Sequence, residues 1–139
     1  KNLTLSFKGF IPYEKMPETY KGQDIFVFPT FADTWGLVVN EAMAAGLPVL
    51  GSLYSQAVEE LVQENINGWT FYPDQEEQIY QSIDKAMNTP DEKMLQMKLR
   101  HLGRGNIHLT ELDIIDIPFD PTCIPDDGKY MVLISKVSG

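Results

Sequence analysis

The residues best suited to chemistry lie between Phe28 and Gly46. Asp33 precedes Trp35, Gly36 and Leu37, and Glu41 follows them. The stretch reads as a strand end, a loop and a helix, followed by a short strand over Leu47 to Leu50. A helix start leaves its first amides without internal acceptors and carries a partial positive charge, so it can receive a phosphate. Gly36 puts no side chain in the way of a close approach. A carboxylate accepts hydrogen bonds from neighbouring hydroxyls of a sugar or a ribose. Glu41 stands six residues beyond Trp35, which is about 9 Å along a helix axis. Two acids flanking a phosphate-receptive helix start describe a site for a nucleotide-sugar. Spacing alone leaves a plainer reading open. Asp33 or Thr34 is an N-cap for a helix over Trp35 to Ala45, Gly46 is its C′ residue, and Glu41 is a solvated helix position.

The elements around this stretch form an alternating series. Leu3, Leu5 and Phe7 alternate with polar residues, as in a half-buried strand. A short helix over Glu18 to Lys21 begins near Pro17. Ile25 to Phe28 is a continuous apolar run, which suits a parallel strand covered on both faces. A third helix is expected near Ser55 to Glu64, with Ala57, Leu61 and Val62 inward. A turn at Asn67 and Gly68 leads to a strand over Trp69 to Tyr72. Asp74 caps a fourth helix, in which Ile79, Ile83, Ala86 and Met87 share a face. Asp91 caps a fifth that reaches His101. Strands alternating with helices predict an α/β fold, a Rossmann-like parallel sheet with flanking helices. From about residue 103 the helix period disappears. Ile107 to Ile117 and Tyr130 to Val137 read as strands, giving a β-leaning tail of unknown role. The expected division is residues 1–102 and 103–139.

Composition narrows the function classes. With 139 residues, 43% of them hydrophobic, the chain has the size and content of an ordinary globular domain. A net charge of −9 disfavours nucleic acid and anionic membrane surfaces as partners. No apolar run approaches the roughly 20 residues of a membrane span. The lone Cys123 supports no internal disulfide and points to a reducing, cytoplasmic setting. His101 and His108 lack zinc-ligand spacing, so no metal site is expected. The acidic tail residues lack the spacing of a calcium loop. Gly103 to Gly105 lacks the rest of a phosphate loop. Met94 and Met97 read as a packed helix face.

The stretch resembles the retaining glycosyltransferases of the GT-B fold, in the GT4-type glycosyl transferases group 1 family. That family's pattern, P-[ST]-x-x-E-x-[FW]-G-L-x-x-x-E-A-M-A-x-G-x-P-V, is met by Pro29 and Thr30, Asp33, Trp35 to Leu37, Glu41 to Ala44, Gly46, and Pro48 and Val49. Neighbouring segments are similar too: Phe7 to Phe10, Met16 to Asp24, and Ser52 to Trp69. The likeness spans about residues 3–90. It implies the second half of a C-terminal donor-binding domain, with no cofactor and no metal, for a nucleotide-diphosphate sugar used in hexosyl transfer, as in polysaccharide biosynthesis. It implies that Glu41 binds the ribose hydroxyls, that Asp33 contacts the donor sugar, and that the amides of Gly36 and Leu37 face the donor. Asp33 stands where glutamate is usual, which shortens its reach. Ser52 and Ser55 fall in the small-residue loop near the donor.

The resemblance also implies missing parts. The N-terminal acceptor domain and the first strand–helix units of the donor domain are absent, and Lys1 rather than Met opens the chain. The expectation is therefore a fragment, inactive alone and without a catalytic residue of its own. Its parent is cytoplasmic or peripheral to a membrane. Exposed sheet edges are a route to oligomers, and the tail strands are another way to cover them. The alternative function is a non-catalytic binding or interaction module derived from such a domain.

Overall fold

In the apolar run of β1 (Ile25–Phe28) the side chains divide between two sides of one sheet. The computed structural model describes residues 8–103 and 132–135. Its order of elements after a 3₁₀ turn (Tyr13–Lys15) is α1 (Met16–Tyr20), β1, α2 (Leu37–Ala44), β2 (Val49–Ser52), α3 (Gln56–Leu61), β3 (Gly68–Phe71), α4 (Glu76–Met87), α5 (Asp91–Gly103) and β4 (Val132–Ile134). The sheet runs β3-β2-β1-β4. β1, β2 and β3 are parallel, in register Val27–Leu50 and Leu50–Trp69, and β4 lies antiparallel to β1 with Val132 opposite Val27.

Both faces of the sheet are covered, so the parallel strands show no polar alternation. Phe26, Phe28 and Val49 pack under α1, α2 and α3 with Tyr20, Val39, Ala42 and Val58. Ile25, Leu50, Trp69 and Phe71 pack under α4 and α5 with Ala86, Met94 and Met97. Burying each large side chain contributes about 1.5–3 kcal/mol. The result is the Rossmann-like α/β arrangement expected from the alternation. Met94 and Met97 are core residues, as their spacing indicates. α5 is also pinned at two points. Lys98 donates to Asp24 Oδ1 at 2.6 Å and to the Gln23 carbonyl at 3.1 Å, and His101 Nε2 lies 3.1 Å from the Asn67 carbonyl oxygen.

Several boundaries differ from expectation, each for a local reason. β2 starts at Val49 rather than Leu47. The Leu47 amide is used to end α2, donating to the Ala42 carbonyl at 2.9 Å, while Gly46 at φ 84° donates to the Met43 carbonyl at 2.9 Å. These two bonds form a Schellman motif, with Gly46 at C′ as expected. α3 stops at Leu61 rather than Glu64 because Asn67 breaks it. The Asn67 side chain accepts from the Gln63 amide at 2.6 Å and donates to the Leu61 carbonyl at 2.9 Å. The turn therefore precedes Gly68, which is already in β3. In α4 the inward face uses Ser82, whose hydroxyl donates to the Thr70 carbonyl at 2.8 Å, and Ile83 is exposed. Gln75, not Asp74, is the N-cap of α4, and Asp91 is already inside α5. α1 begins at Met16, two residues before Glu18.

Of the two expected tail strands, Val132–Ile134 is present as β4 within the range Tyr130 to Val137. The strand over Leu3 to Phe7 and that over Ile107 to Ile117 lie outside the described residues, as do Cys123 and His108. The outer margin of β3 carries a side-chain cover: Glu64 Oε2 accepts from the Thr70 amide at 3.0 Å, and Lys85 pairs with Glu64 Oε1 at 3.2 Å.

Candidate functional site

Parallel strands deliver their following loops to one end of the sheet, and ligands of open α/β sheets bind there. The loops after Phe28, Ser52 and Phe71 meet at that end. The first two are joined by a parallel bridge between Asp33 and Ser55, in which the Asp33 amide donates to the Tyr54 carbonyl at 3.2 Å. The Trp35 carbonyl accepts twice from the second loop, from the Ser55 hydroxyl at 2.9 Å and from the Ala57 amide at 2.8 Å. Ser52 and Ser55 are both fully buried, and Ser52 Oγ accepts from the Tyr54 amide at 3.1 Å. The Ser55 hydroxyl ties the two loops together, and the Ser52 hydroxyl shapes the second from within.

The expected cap of α2 is corrected. Neither Asp33 nor Thr34 occupies the N-cap. Gly36 does, at φ 91° and ψ 59°, and it offers no side-chain cap bond. Asp33 instead closes a turn before the helix, its Oδ1 accepting from the Trp35 amide at 3.2 Å. Half-buried Asp33 thus stays in the loop, beside the helix start. With Leu37 as the first helical residue, the amides of Leu37 and Val38 precede the first helical bond, which the Val39 amide donates to the Gly36 carbonyl at 2.9 Å. The left-handed backbone and the packing together require glycine at 36. A Cβ there would lie 2.6 Å from Ser55 Oγ and 3.3 Å from a Phe28 ring carbon.

Glu41 sits one turn into α2, about 6 Å from its start by helical rise, rather than the longer distance implied by a start at Trp35. It is half-buried and faces α1, where the Tyr20 hydroxyl donates to its Oε2 at 3.3 Å. Burial pushes the Glu41 carboxyl above its ordinary range, and the Tyr20 bond opposes that rise. Burial, and then the Glu41 charge, push the Tyr20 hydroxyl far above the usual tyrosine range. Tyr13 is raised for the same two reasons. Glu41 is therefore half-buried against Tyr20, with its charge felt by Tyr13, so the solvated-helix reading does not describe it.

These tyrosines were missed by sequence reasoning. Nothing in the spacing connects residue 20 with residue 41, since the contact depends on α1 and α2 covering the same face of the sheet. A second unforeseen group lies at the same end of the sheet. The rings of Tyr54 and Tyr72 meet edge to face at 6.0 Å, and the Tyr54 hydroxyl donates to Asp74 Oδ2 at 2.9 Å. Among the described residues, no three His, Cys, Asp or Glu side chains gather as a metal site, and no helix is long and apolar enough to cross a membrane.

Residues 2–101 match the family described as "Glycosyl transferases group 1". An uncharacterized glycosyltransferase of Methanocaldococcus jannaschii is 32% identical over 82 residues, covering 59% of this chain and 21% of that protein. The sulfoquinovosyl transferase of Arabidopsis thaliana is 34% identical over 64 residues, 46% of this chain and 12% of that protein. The amylovoran biosynthesis glycosyltransferase of Erwinia amylovora is 36% identical over 67 residues, 44% of this chain and 16% of that protein. The matched part of the chain thus spans about a fifth or less of each of these curated relatives. The match over residues 2–101 takes in β1 to β3, α1 to α4 and both acids of the site, and the chain belongs to the glycosyl transferases group 1 family.

Proposed function

We propose that this chain is the donor-binding portion of a retaining, GT4-type glycosyltransferase of the GT-B fold, and that it binds a nucleotide-diphosphate sugar. The carrying observation is the placement of Glu41 one turn past an N-terminus of α2 that has no side-chain cap, with Asp33 in the loop before it. In this reading Glu41 accepts hydrogen bonds from the ribose hydroxyls. Asp33 accepts from hydroxyls of the donor sugar, and the amides of Gly36 and Leu37 face the phosphates or the sugar. The pyrophosphate needs no metal, because amide dipoles supply the positive field. Transfer proceeds by positioning and by electrostatic stabilisation of a cation-like sugar carbon. The acceptor is held by a further domain of a longer protein, so these 139 residues alone do not transfer sugar. A hexosyl donor, a cytoplasmic or membrane-peripheral setting and a role in polysaccharide assembly belong to the same proposal. The name of the Erwinia relative, an amylovoran biosynthesis glycosyltransferase, supports the last of these.

Calorimetric titration with nucleotide-diphosphate sugars tests the reading. Binding that Glu41→Ala abolishes supports it. Sugar transfer by the purified chain would contradict the inactivity.

One observation favours a second reading, a non-catalytic module. β4 pairs along β1 on the side away from β2, so the tail itself covers that strand. A cooperatively folded chain that binds no nucleotide would support this reading over the first.

A further inference from the structure

Glu41 does not set its own orientation. Its neighbour Tyr20 is 4% exposed, and its ring meets Phe26 edge-on at 6.3 Å and 76°. Phe26 stacks on Phe28 at 6.0 Å and 19°, and Phe28 lies under Gly36 at the start of α2. A row of three aromatic rings therefore runs from the hydroxyl that touches Glu41 to the backbone that opens the helix. Phe26 is fully buried and Phe28 nearly so, which fixes the row in the core. A hydroxyl carried by a ring so fixed has little freedom to follow the carboxylate. The carboxylate must come to it. At 3.3 Å the contact is long for an O–H···O bond, so it steers Glu41 more than it binds it. No hydrogen bond to Oε1 occurs among the described residues. A carboxylate with one oxygen steered and the other available offers a diol one defined acceptor direction.

We propose that Tyr20 is a positioning residue for Glu41: its core-anchored hydroxyl takes Oε2 and presents Oε1 to a ribose hydroxyl of the nucleotide. This inference rests on the donor-site reading of Glu41. Tyr20 touches no ligand in this account. It selects for a nucleotide with a ribose hydroxyl in that one direction, because a wandering carboxylate would accept from either hydroxyl with less discrimination.

Tyr20→Phe removes the hydroxyl and keeps the ring, so the packing against Phe26 survives. Two measurements on the full chain decide the matter. In the first, uridine, adenosine and guanosine diphosphates and their 2′-deoxy forms are titrated by calorimetry against wild type, Tyr20→Phe and Glu41→Ala. The expected result is a three- to tenfold loss of affinity for the preferred ribonucleotide in Tyr20→Phe, within the range of about one hydrogen bond. The preference over the deoxy form should shrink toward that of Glu41→Ala. An unchanged preference overturns the positioning role while leaving the donor site intact. Wild type that binds none of the diphosphates overturns the donor-site reading and the proposal with it. In the second measurement, the Glu41 carboxyl carbon is followed by NMR through a pH titration, with Glu41→Gln assigning the signal. The lost donor should raise the Glu41 midpoint in Tyr20→Phe. An unmoved midpoint overturns the contact itself, whatever the nucleotides do.

Discussion

Gly36 and Ser55 are packed so closely that a methyl group on the first would lie 2.6 Å from the hydroxyl oxygen of the second. Gly36→Ala meets this contact and also places a Cβ at φ 91°. The backbone conformation costs about 1–3 kcal/mol and the crowding a further 1–3 kcal/mol or so. Urea unfolding should show the combined loss. Measured against a Ser55→Ala background, which has already lost the bond to the Trp35 carbonyl, Gly36→Ala should cost less by the crowding at Ser55 and keep the backbone strain. A double variant as stable as Ser55→Ala alone would show that the backbone conformation matters little.

Glu41 should make stability fall with pH, the reverse of most carboxylates. Its pKa in the folded chain lies above the ordinary 4.5, so the unfolded chain releases its proton first. Between these two values the folded state binds more protons, and stability drops as pH rises. Glu41→Gln removes this dependence. Urea unfolding from pH 4 to pH 8 should show the variant gaining on wild type through that window and keeping a constant lead above it. A wild type that gains on the variant as pH rises would reverse the sign.

Gly46→Ala tests the end of α2. At φ 84° an alanine costs about 1–2 kcal/mol, and Gly46→Asn should cost less, because asparagine visits this conformation more readily. Thermal melts of the two variants should rank in that order.

Lys98→Met should loosen α5 from the start of β1. The pair with Asp24 is partly buried, with side chains 27% and 23% exposed, so its loss is worth more than that of a surface bridge. A charged hydrogen bond of this kind contributes about 1.5–3 kcal/mol. Hydrogen exchange at the amides of α5 should accelerate more than that in α2.

Removing residues 104–139 should expose the edge of β1. The Asp24 amide loses its bond to the Ile134 carbonyl, 2.7 Å in the intact chain, and the strand beside it loses β4. Unpaired strand edges associate. Sedimentation should show larger species for the truncated chain than for the full one at equal concentration.

The alternation of elements made the α/β fold legible, because a buried parallel strand such as Ile25 to Phe28 announces itself as an apolar run. Boundaries were less legible where a side chain or a cap competed with the backbone. Asn67 ends α3, and the Leu47 amide is spent on the Schellman motif, so both shortened elements follow from bonds between residues not adjacent in the pattern. Asp33 and Glu41 were identifiable as a pair from residue type and spacing. Their surroundings were not. The N-cap went to Gly36 because a left-handed residue there lets α2 rest on Ser55, a tertiary contact. Tyr20 reaches Glu41 only because α1 and α2 cover the same face of the sheet.

The carboxylate of Glu64 on the Thr70 amide has a consequence for how molecules of this kind can join. A strand arriving at the β3 margin meets a negative charge where it needs a donor, and it must evict both that charge and the lysine that holds it. Self-association through β3 is therefore opposed by the chain itself, and the sheet has a guarded side. Extension of this fold by further strands, within one molecule or between two, is directed to the flank on which β1 lies.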